Sequence, residues 1–484
     1  MAGIGFELRR LSERDEVLGP VLAMGHAALV AAGPWLLTVT ALAVLSAIAG
    51  PKLAGSDLEG FRLVVIYAFA VSLVAASPII LVAARLLGDA VYARRFEEIG
   101  DLFCGTVVLA AVASTTAAAG MFVFVIAIPA ELAVTGIALA AAIALVWTGL
   151  SFCGAVHQFA AITRAFLLGL AAAVVLATGA AAAGLGIVAM LWGFQLGIVI
   201  VLGGLAARVF ATFPPSGQPL AEAIAVLKSG LVIHWRLALG AGIGAVAVFA
   251  DKWVVWVGPA GVVDASGLVH APIYDSAMFI ACLTIVPALA LFVTHIETDF
   301  ALQQASVRRT IAGHATLGQV RRKLRQLEQG TWQAFLRIVI VQAGITTMVV
   351  LATPAIVALV SLGYQQVGIL RLGALASLFQ FVFIAATALL LNFNRQTDVL
   401  GLQVLFLVLQ VGCTLAAGEL GPAFLGYGTL AASVLAGTTA VVLLDRTMRD
   451  LGYVIFIQSN RTSPRPPCAR SVDVVPAARK GAVA

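Results

Sequence analysis

Asp251-Lys252 and Tyr274-Asp275 lie inside two long apolar runs, at about 231–257 and 273–294. An ionisable side chain costs about 2.5–3.5 kcal/mol at mid-membrane, so one that is kept there points to pairing, proton movement or contact with a polar cargo. The runs are joined by a turn near residue 263, and both charged pairs stand 11 to 12 residues from it. They are therefore expected at one depth, on opposite arms of a hairpin. The same count sets His234 and Arg236 level with His295, Glu297 and Asp299 at the other end. Two charged clusters, one at each mouth of a helix pair, could line a polar path that opens alternately to either side. Asp251, Asp275, Glu297 and Asp299 would contact hydroxyl or amino groups of a cargo, with Tyr274 and His295 beside them, while Arg236 and Lys252 hold them by pairing. The competing reading is snorkelling with ion pairing at helix ends, which needs no transport.

The helices that carry these groups contain prolines. Gly33-Pro34 falls in the middle of the run at 21–49, Pro78 late in the run at 62–84, and Pro287 in the middle of the run at 273–294. Proline removes a backbone donor and frees the carbonyl four residues earlier. Membranes tolerate such breaks where a neighbour or a cavity satisfies the freed group. Gly33, Pro34, Pro78 and Pro287 are thus candidate bending points, Gly33-Pro34 the foremost, with a static packing kink as the alternative for each.

The chain around them is 484 residues long, 61% hydrophobic and 11% charged, where a soluble domain carries about 25% charged residues. That excludes a soluble globular fold. Apolar runs of spanning length, about 20 residues, occur at 21–49, 62–84, 102–128, 132–153, 159–182, 185–207, 231–257, 273–294, 334–360, 372–392, 399–418 and 424–444. The expected fold is an all-α polytopic membrane protein of twelve transmembrane helices. Of 29 Lys and Arg, 23 fall in segments that are cytoplasmic if the N-terminus is, 3 in the opposite segments, and Arg236, Lys252 and Arg337 within runs. The positive-inside rule then places both termini in the cytoplasm. The first and seventh runs, and the second and eighth, are offset by about 210 residues, which suggests two six-helix lobes of the kind found in transporters with parallel repeats. This divides the chain into an amphipathic segment (1–20), a first lobe (21–207), an inter-lobe loop (208–230), a second lobe (231–444) and a tail (445–484) that is expected to be disordered from about 459.

The net charge of +6 does not argue for nucleic acid, because topology accounts for most of the basic residues. The loop at 295–333 sets Val320, Leu324 and Leu327 at helical spacing among Arg321, Arg322, Lys323 and Arg325, the pattern of a basic amphipathic helix. Binding to anionic headgroups is its first reading, and a docking surface for a cytoplasmic partner its second. Gly88-Asp89 with Arg94-Arg95 resembles the loop motif of major facilitator transporters, yet the long loop follows the eighth run rather than the sixth. No P-loop, metal-ligand spacing or catalytic constellation is present, so no cofactor, metal or enzymatic activity is expected.

The start Met1-Ala-Gly-Ile-Gly-Phe-Glu-Leu-Arg9, the Gly33-Pro34-Trp35 element, and above all Tyr274-Asp-Ser-Ala-Met-Phe279 leading to Glu297-Thr-Asp-Phe300 resemble the PelG family. The resemblance runs from residue 1 to about 457. It implies a member of the multidrug/oligosaccharidyl-lipid/polysaccharide (MOP) exporter superfamily, with two lobes around a central cavity, in the bacterial inner membrane. It further implies export of an amino-sugar polymer for the biofilm matrix, beside a cytoplasmic glycosyltransferase and membrane partners that sense cyclic di-GMP. It assigns no residue a role, so the candidates above rest on the charge argument. Two other functions remain open: a scaffold that recruits the glycosyltransferase, and an ion-coupled exporter of drugs or lipid-linked oligosaccharides.

Overall fold

The computed structural model describes residues 38–50, 55–155, 159–313, 315–360 and 362–453. The amphipathic segment, the bending candidates Gly33 and Pro34, and the tail beyond residue 453 lie outside the described residues. Eleven described helices are long and apolar enough to cross a membrane, and the described part of a further apolar helix, α1 (Thr38–Ala49), precedes them. This agrees with the all-α, twelve-helix expectation.

The first lobe continues with α2 (Gly55–Tyr92), α3 (Glu97–Ala119, extended by a π-turn over Gly120–Val125), α4 (Ala130–Ala155), α5 (Phe159–Ala182) and α6 (Gly186–Thr212). Then follow α7 (Leu220–Ile233), α8 (Trp235–Val257), a two-stranded ribbon of β1 (Val262–Val263) and β2 (Val269–His270), α9 (Pro272–Leu283) and α10 (Val286–His295). A π-turn (Ile296–Phe300), α11 (Ala301–Ala312), α12 (Leu317–Leu359), α13 (Gln366–Asn392), α14 (Gln396–Glu419) and α15 (Tyr427–Arg449) complete the second lobe. One apolar core gathers Phe61, Phe103, Phe122 and Phe194 and reaches Trp256, Tyr274 and Met278. The other gathers Phe292, Phe300, Phe381 and Phe383. The lobes meet where α2 packs against α8: Ser77 Oγ lies 3.3 Å from the Ala241 carbonyl, and Pro78 Cγ would be 3.2 Å from a Cβ at Gly242.

Four elements differ from the sequence expectation. The stretch 208–230 is not a loop: α6 runs on to Thr212, a link over 213–219 follows, and α7 begins at Leu220. The link is held by Asp101, buried in α3, whose carboxylate accepts from the Ser216 backbone N–H at 3.2 Å and from the Ser216 hydroxyl. The seventh run starts with this extra helix and breaks at His234, whose ψ of 32° leaves the helical range.

The turn near residue 263 is the β-ribbon. Asp264 accepts from Ser266 Oγ at 2.6 Å and from Ser266 N at 3.2 Å, an Asx-turn with Gly267 at φ +86°. Burial alone would raise the Asp264 pKa, but these hydrogen bonds hold it below the usual carboxylate value.

The eighth run is broken into α9 and α10. Pro287 cannot donate to the Leu283 carbonyl, and the chain passes the gap by short turns, with Thr284 N bonded to Ala281 O and Ile285 N to Cys282 O. Pro287 is therefore a break. Pro78 is not: α2 runs through it without interruption, and the Val74 carbonyl it frees lies 3.5 Å from Ser77 Oγ.

The loop at 295–333 is largely helical, and its basic stretch is the start of α12, which is 43 residues long. At 1.5 Å per residue that is about 65 Å, twice the roughly 30 Å hydrocarbon thickness. A capping box starts it: Thr316 Oγ1 accepts from Gln319 N while Gln319 Oε1 accepts from Thr316 N. Val320, Leu324 and Leu327 are buried in the second core, so the apolar stripe is covered by protein rather than by membrane. Arg321, Arg322 and Arg325 remain exposed and Lys323 half-buried.

Candidate functional site

The ribbon is symmetric enough to bring the two charged pairs to one level, as the count from the turn predicts. Asp251 on α8 is 1% exposed. It accepts from Lys252 Nζ at 3.1 and 3.2 Å and from Tyr274 Oη on α9 at 2.9 Å. The tyrosine has a single proton and gives it to the carboxylate. Thr429 on α15, whose Oγ1 lies 2.8 Å from Tyr274 Oη, must therefore be the donor of their bond. A buried carboxylate, phenol and hydroxyl and a half-buried ammonium thus tie three helices of the second lobe together.

Asp275 faces the other lobe. Its Oδ2 accepts from Trp256 Nε1 at 2.8 Å and from the Ala271 backbone N–H at 2.9 Å. Trp256 stacks on Tyr67 of α2, with ring centroids 4.9 Å apart and planes 27° apart. Tyr67 Oη donates to the Val269 carbonyl of the ribbon at 2.6 Å, and His270 Nε2 lies 2.8 Å from Glu59 Oε1. The ribbon end of the hairpin is therefore fastened to the first lobe through one aromatic stack and two polar contacts. Asp275 fixes the indole, and its Oδ1 is buried without a hydrogen-bond partner among the described residues.

The far end does not form the single cluster expected. His295 and Asp299 are together, Nδ1 to Oδ2 at 3.4 Å. Arg236 instead lies over the Trp235 ring, 5.1 Å from its centroid. His234 stands at the break before α8, where burial and the Arg85 guanidinium hold its pKa down against the pull of Asp89. The Glu297 side chain lies outside the described residues. Among the described residues no group of three or more His, Cys, Asp or Glu could hold a metal.

Tyr67, Trp256, Thr429 and Gln366 were not among the sequence candidates. Gln366 on α13 donates to the Ile273 carbonyl at 2.9 Å and reaches Ser276 Oγ at 2.6 Å, steadying the first turn of α9. Tyr67 and Trp256 read as core aromatics until the lobes are seen together. Thr429 and Gln366 carry no sequence signal, because threonine and glutamine are common in membrane helices as packing and hydrogen-bonding residues.

The family model PelG, described as "Putative exopolysaccharide Exporter (EPS-E)", matches residues 1–456. No curated protein matches the sequence. Among solved structures, the outward-facing conformation of a multidrug resistance MATE family transporter of the MOP superfamily is similar with a TM-score of 0.60 at 16% identity, over 93% of this chain and 97% of that one. A MOP superfamily transporter from Pyrococcus furiosus gives 0.61 at 17% identity over 93% and 97%. A MATE protein in complex with MaL6 gives 0.62 at 16% identity over 93% and 98%. At these identities the likeness establishes the fold.

Proposed function

Since the chain belongs to the PelG family and has the fold of a MOP superfamily transporter, we propose that it exports an exopolysaccharide, a Pel-type amino-sugar polymer, across the bacterial inner membrane for biofilm matrix assembly. The observation that carries the mechanism is the charged junction at the ribbon end of the hairpin, where polar groups both tie the second lobe together and fasten it to the first. Passage of a polar chain between the lobes requires the Tyr67–Trp256 stack to part. The ribbon would swing with α9 about the Pro287 break, and hydroxyl or amino groups of the cargo would meet Asp275 Oδ1, which has no hydrogen-bond partner among the described residues. Asp251, Lys252 and Tyr274 keep the carrier of that gate in register. With both termini cytoplasmic, as the positive charges predict, the ribbon end faces the periplasm and the far end receives the cargo.

Asp275→Ala is expected to reduce polymer secretion at least about tenfold at unchanged membrane abundance, the price of a lost charge-assisted hydrogen bond being about 1.5–3 kcal/mol. Secretion at the wild-type level by a variant that reaches the membrane would remove this junction from the path.

The exposed basic face at the start of α12 favours a second role, recruitment of the cytoplasmic glycosyltransferase that works with membrane partners sensing cyclic di-GMP. The apolar stripe of this helix is used inside the protein, which leaves the arginines free for an acidic partner. Replacing Arg321, Arg322, Lys323 and Arg325 with Ser is expected to lower co-purification of the glycosyltransferase several-fold while the folded chain persists. Unchanged co-purification would leave these residues with orientation alone.

A further inference from the structure

A second polar site stands at the far end of the second lobe. Between the arm formed by α10, the π-turn and α11 and the facing side of α12 opens a cleft of ≈ 370 Å³, inside the range of about 300–1,000 Å³ usual for small-molecule sites. His295, Asp299 and Gln303 line one wall, and Gly330, Gln333 and Arg337 the other. The π-turn over Ile296–Phe300 lies within the first wall, and such turns are frequent at functional sites.

Two atoms show that the cleft is short of partners. Among the described residues, His295 Nε2 and Gln303 Oε1 are buried with no hydrogen bond, although their residues line it. A buried polar atom left unpaired is costly and is normally met by water, an ion or a ligand. The Gln303 carboxamide also comes close to Gly330 on the facing wall, where a Cβ would lie 2.6 Å from both Gln303 Nε2 and Oε1 and the flexible carboxamide would have to shift to admit it. The carboxamide thus rests directly over bare backbone.

The chemistry of the lining selects among ligands. Arg337 only donates, the Asp299 carboxylate only accepts, and Gln303, Gln333 and the His295 ring each do both. A phosphate, an anion that chiefly accepts, would be set against Asp299; an alkylammonium, which only donates, against Arg337. Hydroxyl and amide groups donate and accept at once and match the whole set. Leu291, Ile338 and Val341 add an apolar side suited to ring C–H groups.

We propose that this cleft binds a saccharide unit bearing hydroxyl and amide groups, as the first docking point of the exported chain on the second lobe. The proposal rests on the export reading for its place in the path, but not for the binding itself. The test uses the purified full chain in phosphatidylcholine nanodiscs, titrated with the N-acetylglucosamine tetramer. Saturable binding is expected, weakened at least about tenfold in each of Gln303→Leu and Arg337→Leu, at an unchanged melting temperature. Arg337 is exposed, so its replacement does not threaten the fold. Inorganic phosphate is expected not to displace the tetramer. Absence of saturable binding, binding indifferent to both substitutions, or displacement by phosphate or by phosphatidylglycerol would overturn the proposal, the last by marking a lipid-headgroup site. Secretion by Asp275→Ala reports on the export reading alone, so the two can fail separately.

Discussion

Asp251→Ala should leave little folded protein in the membrane. The substitution removes the carboxylate and leaves the Lys252 ammonium without its counter-ion, and frees the Tyr274 hydroxyl as well. Breaking one partner of a buried ion pair costs about 3–5 kcal/mol, because the other charge stays buried and uncompensated. The Lys252 side chain keeps 21% of its surface, so the lower part of that range applies. Against a total stability of about 5–15 kcal/mol, even that is a large fraction. The double variant Asp251→Asn/Lys252→Met removes both charges while Asn retains an acceptor for Tyr274. It should recover most of the melting temperature of the wild type. Secretion separates the roles: if the pair takes part in transport, the double variant folds and still fails to export. A single variant as stable as the wild type would show the pair to be solvated. A double variant that exports normally would reduce the pair to a structural element.

The level of Asp251 and Tyr274 was legible in the sequence because it depends only on rise per residue and on a turn that returns the chain antiparallel. A β-ribbon serves that purpose as well as a tight loop, so the two arms stay level whichever joins them. The far-end cluster failed for a related reason. Counting residues gives depth but not azimuth, and the runs are broken at His234 and near Pro287, so a helical count does not carry across. His234 and Arg236 consequently look toward Arg85 and Trp235, while His295 looks toward Asp299 and across to Arg337.

The covering of the Val320, Leu324 and Leu327 stripe was likewise hidden. An amphipathic pattern states that one face avoids water, and membrane and protein interior satisfy it equally. Only the position of Phe300, Val307 and Met448 in the same core decides between them. Proline positions behaved according to what stood beside them. The helix breaks at Pro287, whereas Pro78 has the Ser77 hydroxyl near the carbonyl it frees and α2 continues through it.

Gly197→Val is expected to disrupt the first lobe as severely as Asp251→Ala disrupts the second. In lipid, helices gain little from burying apolar surface against one another, since the acyl chains are as apolar as they are. Close backbone approach at small residues takes over that role. A Cβ at Gly197 would lie 2.4 Å from Ala173 Cβ, 2.5 Å from the Gly169 carbonyl oxygen and 2.6 Å from Ala173 Cα. None of these is the end of a flexible side chain, so α5 and α6 must separate. Overpacking costs about 1–3 kcal/mol where side chains can yield, and here the backbone itself would have to move, which sets the expectation at about 3 kcal/mol or more. Gly203, on the same helix, would meet nothing within 4 Å, so Gly203→Val should change the melting temperature little and serves as the control. The second lobe repeats the device: a Cβ at Gly428 would lie 2.5 Å from Thr414 Cα and 2.6 Å from the Cys413 carbonyl oxygen, between α14 and α15. The last two helices of each lobe thus meet through a glycine, as two copies of one six-helix plan would. Gly428→Val should therefore lower the yield of monodisperse protein to a similar degree. Equal melting temperatures for Gly197→Val and Gly203→Val would show that the α5–α6 contact is loose enough to absorb a side chain and does not depend on close backbone approach.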